Sequence, residues 1–199
     1  SDGPIAQEKL ALPDGQTISF VEQGSTSGYA IPALQLVEVG VDPIDGVGWD
    51  GFTSVAFDAA GDLVLAGGSS GSTNDRMAVV KIDDTGALVS GFGDDGAVIL
   101  EGVSGWANDH LVVDGTVYLV GAPANENGFY FAALDATTGA PVGSFGDSGG
   151  IRVPLPGYAT QAFVLDIDPS GALWAAGLTE GGDGASDADT FAFARVTAE

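Results

Sequence analysis

A short motif that occurs twice constrains this chain more than any other feature. Gly91-Phe-Gly-Asp-Asp-Gly96 returns as Ser144-Phe-Gly-Asp-Ser-Gly149, and we call these two stretches the Phe-Gly corners. Each corner follows a turn and a short connector, at 85–90 and at 138–143, and each turn follows an alternating apolar run. A unit that recurs with the same flanking segments predicts a chain built from tandem repeats.

Other apolar segments recur with a similar period. One set begins at Gly61, Gly115 and Gly171, which lie at nearly equal intervals along the chain. A period of roughly 50 residues with about four short strands is typical of propeller blades, because one such sheet cannot bury both faces without neighbours. The strands predicted for the repeats are 54–57, 61–67, 77–82, 111–113, 115–121, 129–134, 162–165, 171–177 and 191–196.

These patterns predict an all-β fold, a β-propeller-like array of four-stranded blades in a single domain, 1–199. Three repeats are expected at 49–105, 106–157 and 158–199, and the last is truncated because the chain ends where its corner would begin. We find no sustained helical period in the apolar residues, so no helix is expected. The section 1–48 diverges from the repeats and has strand-like segments at 5–12, 16–22 and 30–39.

The repeat resembles a known family. The pattern of Gly61-Asp-Leu-Val-Leu-Ala-Gly67, the strand 77–82, the turn at 85–90 and the Phe-Gly corner is similar to the delta-60 repeat of bacterial surface and secreted β-propeller-like proteins. The terminal segment 191–196 matches that repeat's strand ending in a basic residue. The resemblance covers about 49–199, and it implies a propeller-like fold in a surface context. It transfers no catalytic motif.

The charge balance excludes several partners. Five Lys and Arg residues against 28 Asp and Glu give a formal net charge of −23. A nucleic-acid backbone needs clustered basic residues, and anionic membrane surfaces are disfavoured for the same reason. The chain has no cysteine, which excludes disulfides and cysteine zinc sites. No apolar run approaches the length of a membrane span. The resemblance implies an extracellular or cell-surface protein, and its export signal is then absent from this sequence.

Two glycine motifs do not predict catalysis. The pattern G-x-G-x-x-G occurs at Gly46 and at Gly91, but strands rather than helices follow, so we interpret both as turns. Ser69 lies in a G-x-S-x-G pattern, which needs a strand-to-helix elbow and a histidine base. The single histidine, His110, has no designated partner and is interpreted as a rim or packing residue.

Calcium is the ligand that the acidic turns favour, because hard cations prefer several carboxylate and carbonyl oxygens. The alternative is that these acids only form turns. Three variable loops, 69–75, 122–128 and 179–189, are expected to gather on one face, where a glycan or another surface ligand would bind. The candidate calcium ligands, which lie in glycine-rich turns, are Asp94, Asp95, Asp147, Asp183, Asp187 and Asp189, with Asp166 and Asp168 offering further oxygens.

The function we predict is that of a non-enzymatic, extracellular structural or adhesive module. The last repeat lacks its outer strand, and an unpaired edge invites pairing with another chain, so self-association through exchanged terminal strands is expected. The first alternative is a carbohydrate- or calcium-binding module, and the second is a polysaccharide-active enzyme using paired carboxylates. The aromatic residues that recur near the start of each repeat, interpreted as packing residues or alternatively as sugar-stacking platforms, are Trp49, Trp106 and Tyr158.

Overall fold

The fold is described from a computed structural model of the chain. The described residues are 7–11, 17–21, 49–70, 75–123, 127–156, 159–180 and 189–197. The chain divides into two compact units, Ser1–Val39 and Gly40–Glu199, and each is described by itself. The strand predicted at 30–39 lies outside the described residues, and the assignment of the whole chain to one domain stays a prediction.

The first unit contains an antiparallel hairpin. Strand β1 (Gln7–Ala11) pairs with β2 (Thr17–Val21), and Gln7 lies opposite Val21. Both strands fall within the segments predicted at 5–12 and 16–22.

The second unit is built of antiparallel strands, as the all-β prediction requires. No helix occurs among the residues that the structure describes. Within the same residues there is accordingly no helix long and apolar enough to cross a membrane. The strands are β3 (Trp49–Phe57), β4 (Leu63–Ser70), β5 (Asp75–Ile82), β6 (Ala97–Val113), β7 (Thr116–Pro123), β8 (Phe129–Asp135), β9 (Gly150–Val153), β10 (Ala159–Ile167), β11 (Ala172–Glu180) and β12 (Thr190–Thr197).

Strands β3 to β9 pair in sequence order in one seven-stranded sheet, and β10 to β12 form a second sheet. The long strand β6 changes partner along its length: Ala97 to Ser104 face β5, and Gly105 to Val113 face β7. We therefore distinguish a first group (β3, β4, β5 and the first half of β6), a second group (the rest of β6 with β7, β8 and β9) and a third group (β10–β12).

This continuity bears on the repeat boundary expected between positions 105 and 106, which stays a prediction. The boundary lies inside one strand, where the sequence Glu101-Gly-Val-Ser-Gly105 resembles a turn. Gly102 and Gly105 adopt positive φ angles of 76° and 111°. Glycine tolerates such angles at little cost, so the strand bends and exchanges neighbours without being interrupted.

Each group contains a β-bulge at a matching position in its first strand. The pairing register shifts at Thr53 in β3, at Asn108 in β6 and at Phe163 in β10. These three positions are evenly spaced along the sequence, so the bulge recurs with the period of the repeat.

A glycine on the second strand of each group faces the residue close before the bulge. A side chain at Gly67, Gly121 or Gly177 would collide with the carbonyl oxygen of Gly51, Trp106 or Gln161, respectively. The two strands therefore approach too closely for any residue larger than glycine.

The two Phe-Gly corners have the same geometry. In each, the amide of the last glycine donates to the carbonyl of the phenylalanine, Gly96 to Phe92 and Gly149 to Phe145. The central glycine has a φ of 58° in both corners. The corners turn the chain into β6 and β9 and bury their phenylalanines.

Two apolar clusters form where the groups pack. The first joins side chains such as Met77 of the first group to Leu119 of the second. The second joins Phe131 of the second group to Leu165 and Leu173 of the third. Each cluster lies between consecutive groups, and β10 contacts both β6 and β7.

Candidate functional site

The third group exposes an apolar face. Along β12, Phe191, Phe193 and Arg195 are exposed, whereas the alternate residues Ala192 and Ala194 are buried. Successive side chains of a strand point to opposite faces, so one face of β12 packs inward and the other meets solvent. Phe191 is 100% exposed and Phe193 70%.

Neighbouring strands extend this face. The pairing registers align Val164 with Ala176 and Phe193, and Leu178 with Phe191. Opposite residues of paired strands share a face. We call the resulting surface the end face; its residues are Val164, Trp174, Ala176, Leu178, Phe191 and Phe193.

A tryptophan is held in place at the polar border of the end face. The Trp174 ring stacks on Phe193 with a centroid separation of 6.4 Å, and the Arg195 guanidinium lies 5.7 Å from the Trp174 ring centroid. The Trp174 indole N–H donates to Asp168 Oδ2 at 2.9 Å. Hydrogen bonds from the Ser170 side chain and from Trp174 hold the pKa of Asp168 well below its usual range.

The matching residues of the other two groups are buried. The three matching glycines provide the alignment: Gly67 lies opposite Ala78, Gly121 opposite Tyr130 and Gly177 opposite Ala192. Ala78, Tyr130 and Ala192 therefore occupy equivalent positions on the third strands of the three groups. The residues on either side of them point to the other face. The corresponding pairs are Met77 and Val79, Phe129 and Phe131, and Phe191 and Phe193; the first four are 0% exposed and are covered by the group that follows.

The opposite end of the array exposes a second apolar surface. Phe52, Val55 and Phe57 pair with Gly67, Leu65 and Leu63, so all three lie on one face of β3, which we call the β3 face. They are 42%, 61% and 70% exposed.

A row of polar contacts links the first strands of the three groups. Thr53 Oγ1 donates to the carbonyl of Ala107 at 2.5 Å, and Asn108 Nδ2 donates to that of Ala162 at 2.6 Å. Asp109 bridges all three groups, because it accepts from Ser54 Oγ at 2.7 Å and from the Leu165 amide at 2.8 Å. These contacts fix how consecutive groups pack.

The single histidine is part of this row. His110 is buried, and its Nδ1 lies 2.9 Å from Ser54 Oγ. Burial lowers the pKa of His110, and the neighbouring Asp109 carboxylate only partly opposes this effect. The position is one of packing, as the sequence indicated, and it is not at a rim.

A buried lysine ties the first group to the second. Lys81 Nζ lies 2.6 Å from Asp58 Oδ2 and 3.2 Å from Asp62 Oδ2, and it donates to the carbonyl of Ala136 at 3.0 Å. Burial alone would raise the pKa of Asp58, but the Lys81 ion pair and the hydrogen bonds from the Asp62 and Ala60 amides together outweigh it, and the pKa is lowered. For Lys81 burial lowers the pKa, but the hydrogen bonds to both carboxylates raise it overall.

The predicted calcium ligands that the structure describes lie at three places along the chain. Asp94, Asp95 and Asp147 are exposed at the Phe-Gly corners, and Asp189 is exposed before β12. Asp183 and Asp187 lie outside the described residues. Within the described part of the chain no group of three acidic, histidine or cysteine residues is arranged to hold a metal ion. The calcium hypothesis stays a prediction.

The acids of the first Phe-Gly corner line an open depression. It has a volume of about 490 Å³, and its walls include Asp94, Asp95 and Glu101 from the first group and Thr138 from the second. Asp95 has a positive φ of 49°, a conformation that aspartate tolerates better than most residues. A turn-forming role therefore accounts for Asp95 without a ligand.

The structure also gives the positions of Ser69 and Trp106. Ser69 is buried within β4 opposite Arg76 and is not on a strand-to-helix elbow. Trp106 packs closely against Gly68, where an added Cβ would lie 2.6 Å from the indole ring. This contact agrees with the interpretation of Trp106 as a packing residue. Tyr158 lies outside the described residues, as does the side chain of Trp49.

The sequence missed the end face and Asp109. The alternation Phe191-Ala-Phe-Ala-Arg195 predicts a strand but not which of its faces another sheet covers. Asp109 has no motif of its own. Aligning it with Ser54 and Val164, which follow the other two bulges, would have identified the position.

The fold and these surfaces define an all-β protein with an exposed apolar sheet face at each end of its strand order. The chain matches no protein-family model, and a search of curated proteins finds no match to it.

Proposed function

We propose that this chain is a non-enzymatic structural or adhesive module, extracellular or at the cell surface, that functions by assembling with further copies. The observation that carries the proposal is the end face. Phe191 and Phe193 are exposed, whereas their counterparts Phe129 and Phe131 in the second group are fully buried.

The proposal includes the propeller-like interpretation, in which each group is a blade. It is supported by bulges that recur at equal intervals, by glycines at one position in all three groups, and by two Phe-Gly corners with the same hydrogen bonds. In this interpretation β6 serves as the outer strand of one blade and the inner strand of the next. The third blade then has three strands, since β12 pairs only with β11 among the described strands.

The energetics of the end face favour association. Burying a phenylalanine side chain contributes about 1.5–3 kcal/mol relative to leaving it in water. Soluble monomers rarely expose large contiguous apolar patches, and such patches commonly mark interaction sites. Trp174 is already ordered by Phe193 and Asp168, so little side-chain entropy is lost when a partner covers it.

Among the described strands none pairs with the outer edge of β12, and this edge offers a second contact. Its counterparts β5 and β8 each pair with a fourth strand, β6 and β9. We propose that β12 also receives one, supplied by the N-terminal strands of the same chain or by a neighbouring chain. Strand addition satisfies the backbone groups that an edge leaves unpaired.

Molar mass in solution tests the proposal. Light scattering after size exclusion, over a wide range of protein concentration, is expected to give a mass that rises above that of a single chain. The double variant Phe191→Ser/Phe193→Ser is expected to associate more weakly. An exposed change outside both faces, Ala140→Ser, serves as the control. A wild-type mass that equals one chain at every concentration would contradict the proposal.

A further inference from the structure

We infer that the end face of one copy binds the β3 face of a second copy, so that chains join head to tail. This inference rests on the proposed assembly and specifies its partner. It also specifies its symmetry, because two different surfaces meet in each contact.

The contacts between consecutive groups supply the first argument. Where the second group meets the third, Phe129 and Phe131 pack with Ala162, Leu165 and Leu173. Where the first meets the second, Met77 and Val79 pack with residues that include Ala107, Val117 and Leu119. In both contacts the third strand of one group supplies large side chains. Residues from the first three strands of the next group receive them, including Ala132 of β8 and Ala194 of β12.

The receiving positions of the first group supply the second argument. The bulges align β3 with β10, so that Phe52 corresponds to Ala162, Val55 to Leu165 and Phe57 to Ile167. Ala162 and Leu165 are buried beneath the second group. Their counterparts Phe52 and Val55 are exposed. The β3 face therefore presents, exposed, the first-strand part of a surface that receives an internal contact, whereas the residues of β5 on the same face, Ala78, Val80 and Ile82, are buried.

A contact between the end face and the β3 face would cover both exposed surfaces. The end face occupies the position from which Phe129 and Phe131 contact the third group, and the β3 face occupies the position that receives such a contact. A second copy supplies both missing partners with one type of interface. Since the interface is heterologous, repeated contacts produce a closed ring or an open filament, according to the rotation between copies.

Two variants, each defective in one surface, test the inference. Phe191→Glu/Phe193→Glu disables the end face, and Val55→Glu/Phe57→Glu disables the β3 face. Each variant alone is expected to associate at least about tenfold more weakly than wild type, because a buried carboxylate opposes the contact. Mixed in equal amounts, they are expected to form a heterodimer of twice the chain mass, since one intact surface of each kind remains.

Each outcome has a definite meaning. If wild type never associates, the proposed function fails. If wild type associates but the mixture stays monomeric, the assembly stands and the head-to-tail contact is overturned. Dimerisation of the β3-face variant by itself would indicate an end-face to end-face contact and would also overturn the inference.

Cysteine crosslinking provides a second measurement that does not depend on the glutamate variants. The chain has no cysteine, so Val55→Cys and Phe193→Cys each introduce a single thiol. Mild oxidation of the mixed variants is expected to give mostly heterodimer, with the two homodimers as minor products. A statistical mixture of the three dimers would overturn the inference. Circular dichroism of each variant verifies that it is folded.

Discussion

At the scale of single residues, Lys81 and Arg195 form two different kinds of ion pair, one buried and one exposed. Lys81 lies opposite Val64 and Arg195 opposite Trp174, at the same register position before matching glycines. Lys81 is buried with two carboxylates, whereas Arg195 is exposed and lies 3.5 Å from Asp168. The same register position therefore serves as a buried link in the first group and as a surface contact in the third.

Replacing Lys81 with methionine is expected to destabilise the protein by about 3–5 kcal/mol, because Asp58 is left as an uncompensated buried charge. Urea denaturation followed by tryptophan fluorescence measures this loss. Arg195→Met is the matched control and is expected to cost about 1 kcal/mol or less, since its ion pair is exposed. Equal losses in the two variants would contradict the distinction between them.

The single histidine predicts a specific pH dependence. The pKa of His110 is lower in the folded protein than its ordinary value of 6.5, so the unfolded chain binds this proton first as the pH falls. The free energy of unfolding is therefore expected to decrease from pH 6.5 downward until the folded-state pKa is reached, by up to about 1.4 kcal/mol per pH unit.

Chemical denaturation at a series of pH values between 7.5 and 5 (roughly the range in which histidine titrates) checks this dependence. The variant His110→Gln cannot take up the proton, so its stability is expected to be flat over this range. A slope retained in the variant would show that another group causes it.

At the scale of secondary structure, each close strand approach depends on a glycine. Gly121 has no space for a side chain, because a Cβ would meet the Trp106 carbonyl and the Met77 methyl. A side chain at this position would therefore disturb both the pairing of β7 with β6 and the core between the first two groups.

Gly121→Ala is expected to destabilise the fold by about 1–3 kcal/mol through overpacking. Gly143 is the control, since nothing lies within 4 Å of an added Cβ there. Gly143→Ala is expected to leave the stability unchanged or to raise it by up to about 1 kcal/mol. Thermal denaturation of both variants measures the difference, and a Gly121 variant as stable as wild type would refute the close approach.

The strands could largely be predicted from the sequence, because glycine turns bound short apolar runs. The segments predicted at 77–82 and 129–134 lie within β5 and β8, and the prediction of an all-β fold is confirmed. The continuity of β6 could not be predicted, since Gly102 and Gly105 have the local signature of a turn. Whether a glycine ends a strand or bends it depends on tertiary pairing.

Less of the candidate site could be predicted. The acidic turns have a local signature, so the sequence predicts Asp94, Asp95 and Asp147 as candidate ligands. It does not predict which residues surround them. The exposure of Phe191 depends on whether another group covers the third one. The sequence of 191–196 does not contain that information. Asp109 is one of 28 acidic residues, and only its contacts with Ser54 and Leu165 distinguish it.

At the scale of the whole molecule, acidity opposes assembly. Two copies with a formal charge of −23 each repel one another as they approach. Salt screens this repulsion, with a Debye length of about 10 Å at 0.1 M and about 3 Å at 1 M. Because both proposed surfaces are apolar, added salt weakens the charge repulsion between two copies more than it weakens the attraction between these surfaces.

Self-association is therefore expected to strengthen as NaCl is raised from about 0.05 to about 1 M. Sedimentation velocity at constant protein concentration measures the change. The Phe191→Glu/Phe193→Glu variant should associate at least about tenfold more weakly than wild type at every salt concentration. Weaker association of wild type in high salt would indicate an interface held together by ion pairs.

The shared strand β6 has a mechanical consequence. Tension applied to the first group reaches the second through the covalent backbone of one extended segment, with no loop between them to lengthen first. The third group follows a connection that contains Pro154 and Pro156, and it is held to its neighbour through side-chain packing and the bonds of Asn108 and Asp109. Under load, the first two groups are therefore expected to resist as one unit, and the third is expected to detach before either of them yields.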